Sequence, residues 1–527
     1  MPNNSTNANG APCSGVRLIN ALCDPSVYAH EVIEVSLIET HISWVLLTGK
    51  YAYKIKKPVN FGFLDFSTLQ KRHFYCQEEL RLNRRLAANL YLEVVPITGQ
   101  PDHPIIGGAG EIIEYAVKMH EFPEGFTLNE RASAGQLRID EMDQIVGIVA
   151  DFHETIERAD KTSSYGGCAE IKHWFVNNFE QIRPLLADDY DKQQLQAIQT
   201  WGNDEWHKQS GLMQQRKQQG YVRECHGDLH LGNMTLISGQ VVLFDCIEFN
   251  PMLRWIDVIS EVAFLFMDLL YFGYEHYAYR FLNQYLQRSG DYSGLAVFKY
   301  YLVYRALVRA KVSLLRLAQL ADDIAVCKNA RFAYSKYVNL AERYIKVSQP
   351  VLIITHGFSG SGKSAFACQL AEKIGALQIR SDIERKRLFG LLAEEQSNSA
   401  INKGLYTQEV GLKTYQRLAE LAKSTLDAGF SVIIDATFLK VDQRKLFQLL
   451  AEKEAVRFFI MDVQAANTTL CQRVLQRKND ASEATIEVLQ QQQQSAQPLS
   501  DKEQPFVITV NSESSYALEA VVEKLAV

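Results

Sequence analysis

In the segment His226-Gly227-Asp228-Leu229-His230-Leu231-Gly232-Asn233 a carboxylate and an amide stand five positions apart, and Asp245 follows in VVLFDCIEF after an apolar strand. Moving a phosphoryl group to a hydroxyl requires a base beside the acceptor and oxygen ligands for the Mg²⁺ that bridges the nucleotide phosphates. On that reading Asp228 is the base, and Asn233 and Asp245 are the metal ligands. A second constellation, Gly357-Phe358-Ser359-Gly360-Ser361-Gly362-Lys363-Ser364, matches GxxxxGK[ST] between an apolar strand and a helix. Its glycines let backbone N–H groups curl around phosphates at the helix N-terminus, Lys363 reaches the β- and γ-phosphates, and Ser364 ligates Mg²⁺. Asp435, which ends VIID, is the Walker B-type metal ligand, with a helix or turn cap as the alternative. Arg473 and Arg477 lie four apart on a predicted helix, where they either clamp phosphates as a lid or form a solvated surface pair. Asp382 in IRSDIERKRL follows a strand-like segment, a place where a substrate hydroxyl is deprotonated, and Arg385 lies three residues on.

These groups need elements to hold them. From Val32 to Pro58 short β-rich runs (VIEVSLIET, SWVLLTG, YAYKIKK) read as a small antiparallel sheet with a turn at Gly49 and Lys50. Leu69 to Leu90 has a helical period that puts Tyr75, Glu79, Leu82 and Leu86 on one face, so a helix packs on that sheet. Strand-like runs follow at Leu92–Ile97 and Ile112–Val117. The pattern then turns helical from Ile139, so a β-rich lobe precedes an α-rich one. Long amphipathic helices run from Ile256 to Ser348. At Gln349-Pro350 the character changes to VLIITHG, a continuous apolar run that opens an α/β domain. VIIDATF, RFFIMDV and FVITV are its further buried strands, in βαβ order. The five glutamines at 490–494 read as a solvated helix face.

The HGD-x-x-x-x-N segment with its later Asp resembles the aminoglycoside phosphotransferase-like kinases, a branch of the protein-kinase-like fold that carries HGD where protein kinases carry HRD. The resemblance covers roughly residues 30–345. It implies that Lys54 is the strand lysine holding the α/β-phosphates, with Lys56 on the same strand face as the alternative. It also implies that Glu79 pairs with it; Glu78 competes, but the face shared with Leu82 and Leu86 favours Glu79. Lys118-Met119-His120-Glu121-Phe122 then takes the place of the adenine-binding hinge. Two departures stand out: no GxGxxG loop precedes the lysine, and Glu261 stands where the family usually has a second Asp. The C-terminal part, about residues 350–525, looks like the small-molecule and polynucleotide kinase branch of AAA-type P-loop proteins. That resemblance makes Asp382 the acceptor-activating base and Arg385 a substrate-phosphate contact. The whole chain resembles bacterial bifunctional aminoglycoside phosphotransferase/ATP-binding proteins.

The expected fold is therefore an α+β protein-kinase-like bilobal domain at 26–348, after a disordered lead-in at 1–25, followed by an α/β P-loop domain with a parallel sheet at 349–527. A chain of 527 residues has room for several cores. With 55 Lys+Arg against 61 Asp+Glu it lacks an overall basic footprint for nucleic acid. Nine scattered cysteines without a CxxC pair read as reduced cytosolic thiols, and Ile259 to Gly273 is too short and too charged to span a bilayer. The expected function is a bifunctional cytoplasmic phosphotransferase in which each half uses ATP and Mg²⁺ on a small-molecule hydroxyl acceptor, with no membrane partner. Asp257, Glu261, Asp268 and Glu275 are candidates for a carboxylate-lined cleft for a polycation, whereas Tyr271, Tyr274, Tyr277 and Tyr279 suit a neutral or aromatic acceptor. The other readings are a nucleotide-gated regulatory protein with one idle half, and polynucleotide-end phosphorylation supported by Arg380, Arg385, Lys386 and Arg387.

Overall fold

The computed structural model describes residues 14–62, 64–123, 125–319, 324–392, 395, 407–476, 481–514 and 517–525. By its contacts the chain divides into two compact units. One holds Met1–Glu141, Thr155–Glu170 and Arg216–Glu261, and the other Met142–Glu154, Ile171–Gln215 and Val262–Val527.

In the first unit six strands form an antiparallel sheet: β1 (Ser36–Glu39), β2 (Ser43–Leu47), β3 (Tyr51–Lys56), β4 (Tyr91–Gln100), β5 (His103–Ile106) and β6 (Ile112–His120), in the order β1-β2-β3-β6-β4-β5. The period of two along β3 divides its side chains between two layers. Tyr53 and Ile55 enter a core with Leu46, Val95 and Ile97, while Ala52 joins Cys76 and Tyr91 on the opposite side. Lys54 and Lys56 share the face of Ala52 and meet the helix Leu69–Ala87. That helix starts at a Thr68 cap, whose hydroxyl accepts the Lys71 N–H.

From residue 14 on, the disordered lead-in expected over 1–25 is overturned. Ser14–Leu22 is a helix whose Leu18, Ile19 and Leu22 are buried in the sheet's outer core with Tyr28. Their i, i+1, i+4 spacing makes one apolar stripe, and burying it outweighs the polar composition upstream. Residues 1–13 lie outside the described residues. The unit ends in two small pairings. The strands β7 (Val222–Glu224) and β10 (Trp255–Asp257) are antiparallel, and β8 (Met234–Ile237) and β9 (Gln240–Leu243) form a hairpin. The hairpin turns at Ser238-Gly239, with φ 52° and 78°, the left-handed pair that a two-residue turn requires.

The second unit contains the helices Glu275–Ser289, Leu295–Gln319 and Ile324–Ile345 and a five-stranded sheet. Its strands are β11 (Val351–His356), β12 (Ala376–Arg380), β13 (Ser431–Asp435), β14 (Arg457–Gln464) and β15 (Val507–Asn511). They are all parallel, in the order β12-β13-β11-β14-β15. Ile353, Ala367, Leu370 and Ile433 are wholly buried between the sheet and the helix Lys363–Ile374. Every residue from Val262 to Met267 is fully buried, which explains the most apolar stretch of the sequence as a core helix. No described helix is long and apolar enough to cross a membrane. The fold is thus α+β in its first part, an antiparallel sheet with a helix packed on it, and α/β at its end, with a parallel sheet and a glycine-rich loop between its strand β11 and the helix Lys363–Ile374.

Candidate functional site

The first cluster lies on β3, the helix Leu69–Ala87 and the segment after β9. Lys54 Nζ is 2.8 Å from Glu79 Oε1 and 2.5 Å from Asp245 Oδ1. Lys56 Nζ is 2.6 Å from Glu79 Oε2 and also pairs with Glu248. Glu79 therefore bridges both lysines, while Glu78 turns to Arg81 and Arg254. The two lysines differ in surroundings: the Lys56 side chain is fully buried, whereas Lys54 reaches Asp245, whose side chain is 41% exposed. Burial works against the charge on Lys54, but Asp245 and Glu79 override it and hold its ammonium well above the usual lysine range. The same lysines hold the Glu79 carboxyl below its ordinary value despite its burial. Glu248, three residues after Asp245, escaped notice in the sequence because no spacing rule pointed to it.

The catalytic-loop candidates are assembled by the β8–β9 hairpin. Asn233 precedes β8 and Asp245 follows β9, and the Phe244 N–H donates to Asn233 O at 3.0 Å, so the hairpin closes one candidate ligand beside the other. Asn233 Nδ2 donates to both the carbonyl and Oδ2 of Asp228, at 3.0 Å each. Both partners are acceptors, which fixes the amide's orientation and leaves its oxygen as the ligand atom. His230 Nδ1 accepts the Gly232 N–H at 3.0 Å, so its ring proton sits on Nε2, 3.2 Å from Asp228 Oδ2. Glu261, where the resemblance led to the expectation of an Asp, holds this loop. Its buried carboxylate accepts the backbone N–H groups of His226 and Gly227, at 3.2 and 2.6 Å, and so anchors the loop. At the hinge candidate, β6 ends at His120, and Glu121 Oε2 accepts the N–H groups of Thr48 and Gly49. Phe122 packs on Phe244, beside Asp245.

The second cluster gathers at the C-terminal ends of β11, β12 and β13. Gly357, Gly360 and Gly362 have φ of 136°, 84° and 91°, and a Cβ at Gly357 or Gly360 would lie 2.5 Å from Val463 O or 2.6 Å from Leu470 O. This cradle admits only glycine there, and it presents backbone N–H groups at the start of the helix Lys363–Ile374, as a phosphate requires. Lys363 Nζ folds onto Phe358 O at 2.6 Å and reaches Ser361 Oγ at 3.5 Å. The Ser364 hydroxyl bonds the Asp435 carboxylate, whose pKa is raised by burial against the pull of Arg380. Gln378 Nε2 donates to Asp435 Oδ2 and to Ser364 O, at 3.0 and 3.1 Å. Ser364 and Asp435 thus offer two adjacent oxygens of the kind Mg²⁺ takes. Asp382 opens the helix Ser381–Arg387 at the end of β12 and pairs with Arg385 at 3.0 Å.

Arg473 reaches the loop, 3.4 Å from Gly360 O and 2.9 Å from Ser512 Oγ; Arg477 lies outside the described residues. The glutamine run is solvated at 490, 491, 493 and 494, but Gln492 is half-buried on the P-loop. Its Oε1 accepts the Ser359 N–H at 2.9 Å and its Nε2 donates to Ser359 Oγ at 3.0 Å. Low complexity hid that contact.

Several acceptor-cleft candidates serve other ends. Asp257 forms a buried two-point pair with Arg216, at 2.7 and 2.8 Å, and Glu261 holds the loop. Asp268 is buried, and Glu275 pairs with Arg343. Tyr271 stacks on Tyr337, Tyr274 on Tyr277, and Tyr279 is buried. In the basic stretch Arg385 pairs with Asp382, Lys386 with Glu483 and Arg387 with Glu384, while Arg380 lies 3.8 Å from Asp435.

A family model described as an AAA domain matches residues 352–499. An uncharacterised protein of Mycobacterium tuberculosis is 29% identical over 470 residues, covering 88% of this chain and 91% of that protein, and a Mycobacterium bovis protein matches equally. Among solved structures, a choline kinase from Cryptosporidium parvum is 12% identical and covers 63% of this chain and 95% of that one, with a TM-score of 0.38. A sugar kinase from Janibacter is 22% identical over 34% of this chain and 92% of that one, with a TM-score of 0.26.

Proposed function

We propose that this chain is a bifunctional ATP-dependent phosphotransferase, divided functionally near residue 349, whose two halves each bind MgATP and phosphorylate a hydroxyl of a small molecule. The observation that carries the reading is the Lys54 ammonium held between Glu79 and Asp245, three residues brought together from a strand, a helix and a post-hairpin loop. In the first half Lys54 neutralises the α/β-phosphates, Asn233 and Asp245 hold Mg²⁺, and Asp228 accepts the acceptor's hydroxyl proton as the new O–P bond forms and ADP leaves. Asn233 and His230 hold the Asp228 carboxylate in place. In the second half the Gly357–Ser364 backbone and Lys363 cradle phosphates, Ser364 and Asp435 hold Mg²⁺, and Asp382 takes the acceptor proton. Arg473 neutralises phosphate charge from the lid side and Arg385 contacts the acceptor. Magnesium supplies charge neutralisation between the β- and γ-phosphates.

The commitment of Asp257 and Glu261 to internal partners favours a small hydroxyl acceptor over a polycation. The ion pairs of Arg385, Lys386 and Arg387 likewise count against an oligonucleotide track. A nucleotide-gated role for the second half is the other reading, favoured by the Gln492 latch on Ser359.

The test is mass spectrometry of a metabolite and aminoglycoside panel incubated with MgATP, the wild type and the Asp228→Ala and Lys363→Ala variants. A product lost in one variant alone assigns substrate and half together. ATP binding without any phosphorylated product across the panel would displace the dual-kinase reading in favour of the gated one.

A further inference from the structure

Among the described residues β12 is an edge strand, and no described strand pairs with the N–H and C=O groups along its outer side. A side chain takes that place. Asn283, in the helix Glu275–Ser289, donates from Nδ2 to Ala376 O at 3.0 Å and accepts the Gln378 N–H at Oδ1 at 2.6 Å. One amide thus imitates the peptide of a sixth strand. Gln287, one turn on, donates to Gln378 O at 3.4 Å. The residue gripped on both sides of its backbone is the one whose side chain reaches inward. Gln378 is 3% exposed, and its amide nitrogen spans Ser364 O and Asp435 Oδ2. Because a carbonyl can only accept, the nitrogen must be the end that faces them. The helix Glu275–Ser289 also walls a cavity of about 450 Å³ that opens onto Ser364, Arg380 and Gln378.

We infer that Gln378 and Asn283 are positioning residues for the metal site of the P-loop half. Gln378 sets the spacing between Ser364 and Asp435, and Asn283, from a helix that precedes the P-loop domain in the chain, fixes the strand that carries Gln378. The inference rests on the proposed MgATP binding by that half. Its consequence is that the metal-dependent part of nucleotide affinity depends on a helix 74 residues or more before the P-loop lysine, since Ser289 and Lys363 are 74 positions apart.

The experiment is calorimetric titration of the full chain with ADP, with and without Mg²⁺, the P-loop component being the part abolished by Lys363→Ala. Gln378→Met keeps length and volume and removes both donated bonds. It is expected to raise the Mg²⁺ concentration for half-maximal tightening about tenfold, the scale of losing a ligand's outer-shell partner. Its metal-free ADP affinity stays at the wild-type value. Asn283→Ala shifts the Mg²⁺ midpoint in the same direction by a smaller factor, and stands in if Gln378→Met fails to fold. A Mg²⁺ midpoint within twofold of wild type in the folded variants overturns the inference. So does an equal loss of metal-free ADP affinity, which marks Gln378 as merely structural. If the wild type shows no Lys363-dependent ADP binding at all, the proposed function of that half fails, and the inference falls with it.

Discussion

Lys54 and Lys56 share a strand face and a carboxylate, yet their burial assigns them different tasks. Lys54 ends beside the partly exposed Asp245, where a nucleotide can arrive, whereas Lys56 is sealed between Glu79 and Glu248. Lys54→Met is therefore expected to lower turnover in the first half by about 10²–10³-fold, by analogy with the loss of one electrostatic donor, with little change in melting temperature. Lys56→Met takes the ammonium from the buried Glu248 carboxylate, while Glu79 keeps Lys54, and is expected to cost about 3–5 kcal/mol of stability, read by urea denaturation. Glu79 was legible in the sequence because helical periodicity separates it from Glu78; the choice between the lysines was not, because a strand's period of two puts both on one face. A second residue-scale effect concerns Glu503. Its carboxylate is held down to about 2 from an ordinary 4.5: burial raises it, but Arg444 and the Ser500 N–H and hydroxyl overcome that. A depressed carboxyl stabilises the fold above its unfolded value and loses that contribution as pH falls. The gap in melting temperature between wild type and Glu503→Gln is expected to be full above about 4.5 and to close as pH falls towards about 2.

At the scale of elements, the phosphate cradle depends on a backbone that no side chain tolerates. Gly360→Ala meets both a φ of 84° and a Cβ position 2.6 Å from Leu470 O in the helix Asn467–Gln476. Either the loop or the helix Asn467–Gln476 must shift, and that helix carries Arg473. Gly360→Ala is expected to weaken ADP binding at the P-loop by more than about tenfold, seen in calorimetry as loss of the same component that Lys363→Ala removes, with the first half unaffected. The P-loop was plain in the sequence because its chemistry needs those glycines at that spacing. Most strands of both sheets were plain for a similar reason, since period-two alternation and continuous apolar runs mark one-sided and two-sided burial; β5, four residues with a proline at its second position, was too short to show either. The helix Ser14–Leu22 was missed because nine residues behind a polar lead give the eye little periodicity. Gln492 was missed because its contact distinguishes one glutamine among five identical neighbours.

For the whole molecule, the sequence changes character at Gln349-Pro350, but packing within the second unit runs across that point. Gly375, with φ 68°, ends the helix Lys363–Ile374 under the Tyr279 ring, which lies 3.0 Å from where a Cβ would stand. Phe298 meets Phe430 edge to face at 5.9 Å, and Lys299 donates to Gly429 O. Arg280 joins Glu372 at 2.8 Å. Such contacts between residues far apart in sequence, through amides, ring edges and a glycine, leave no motif, so the clasp of Asn283 on β12 was invisible before the fold was known. Buried aromatic contacts of this kind bind elements into one cooperative unit. Hydrogen exchange is accordingly expected to show the helix Glu275–Ser289 and β12 opening together, with one free energy. Tyr279→Ala removes a ring that packs on both Phe266 and Gly375, and is expected to lower that shared opening energy by about 3–4 kcal/mol. Faster exchange confined to the helix, with β12 unchanged, would mean that the P-loop sheet holds itself without the helix. Faster exchange in both would tie the stability of the strand that bears Gln378 to a residue far upstream of the P-loop.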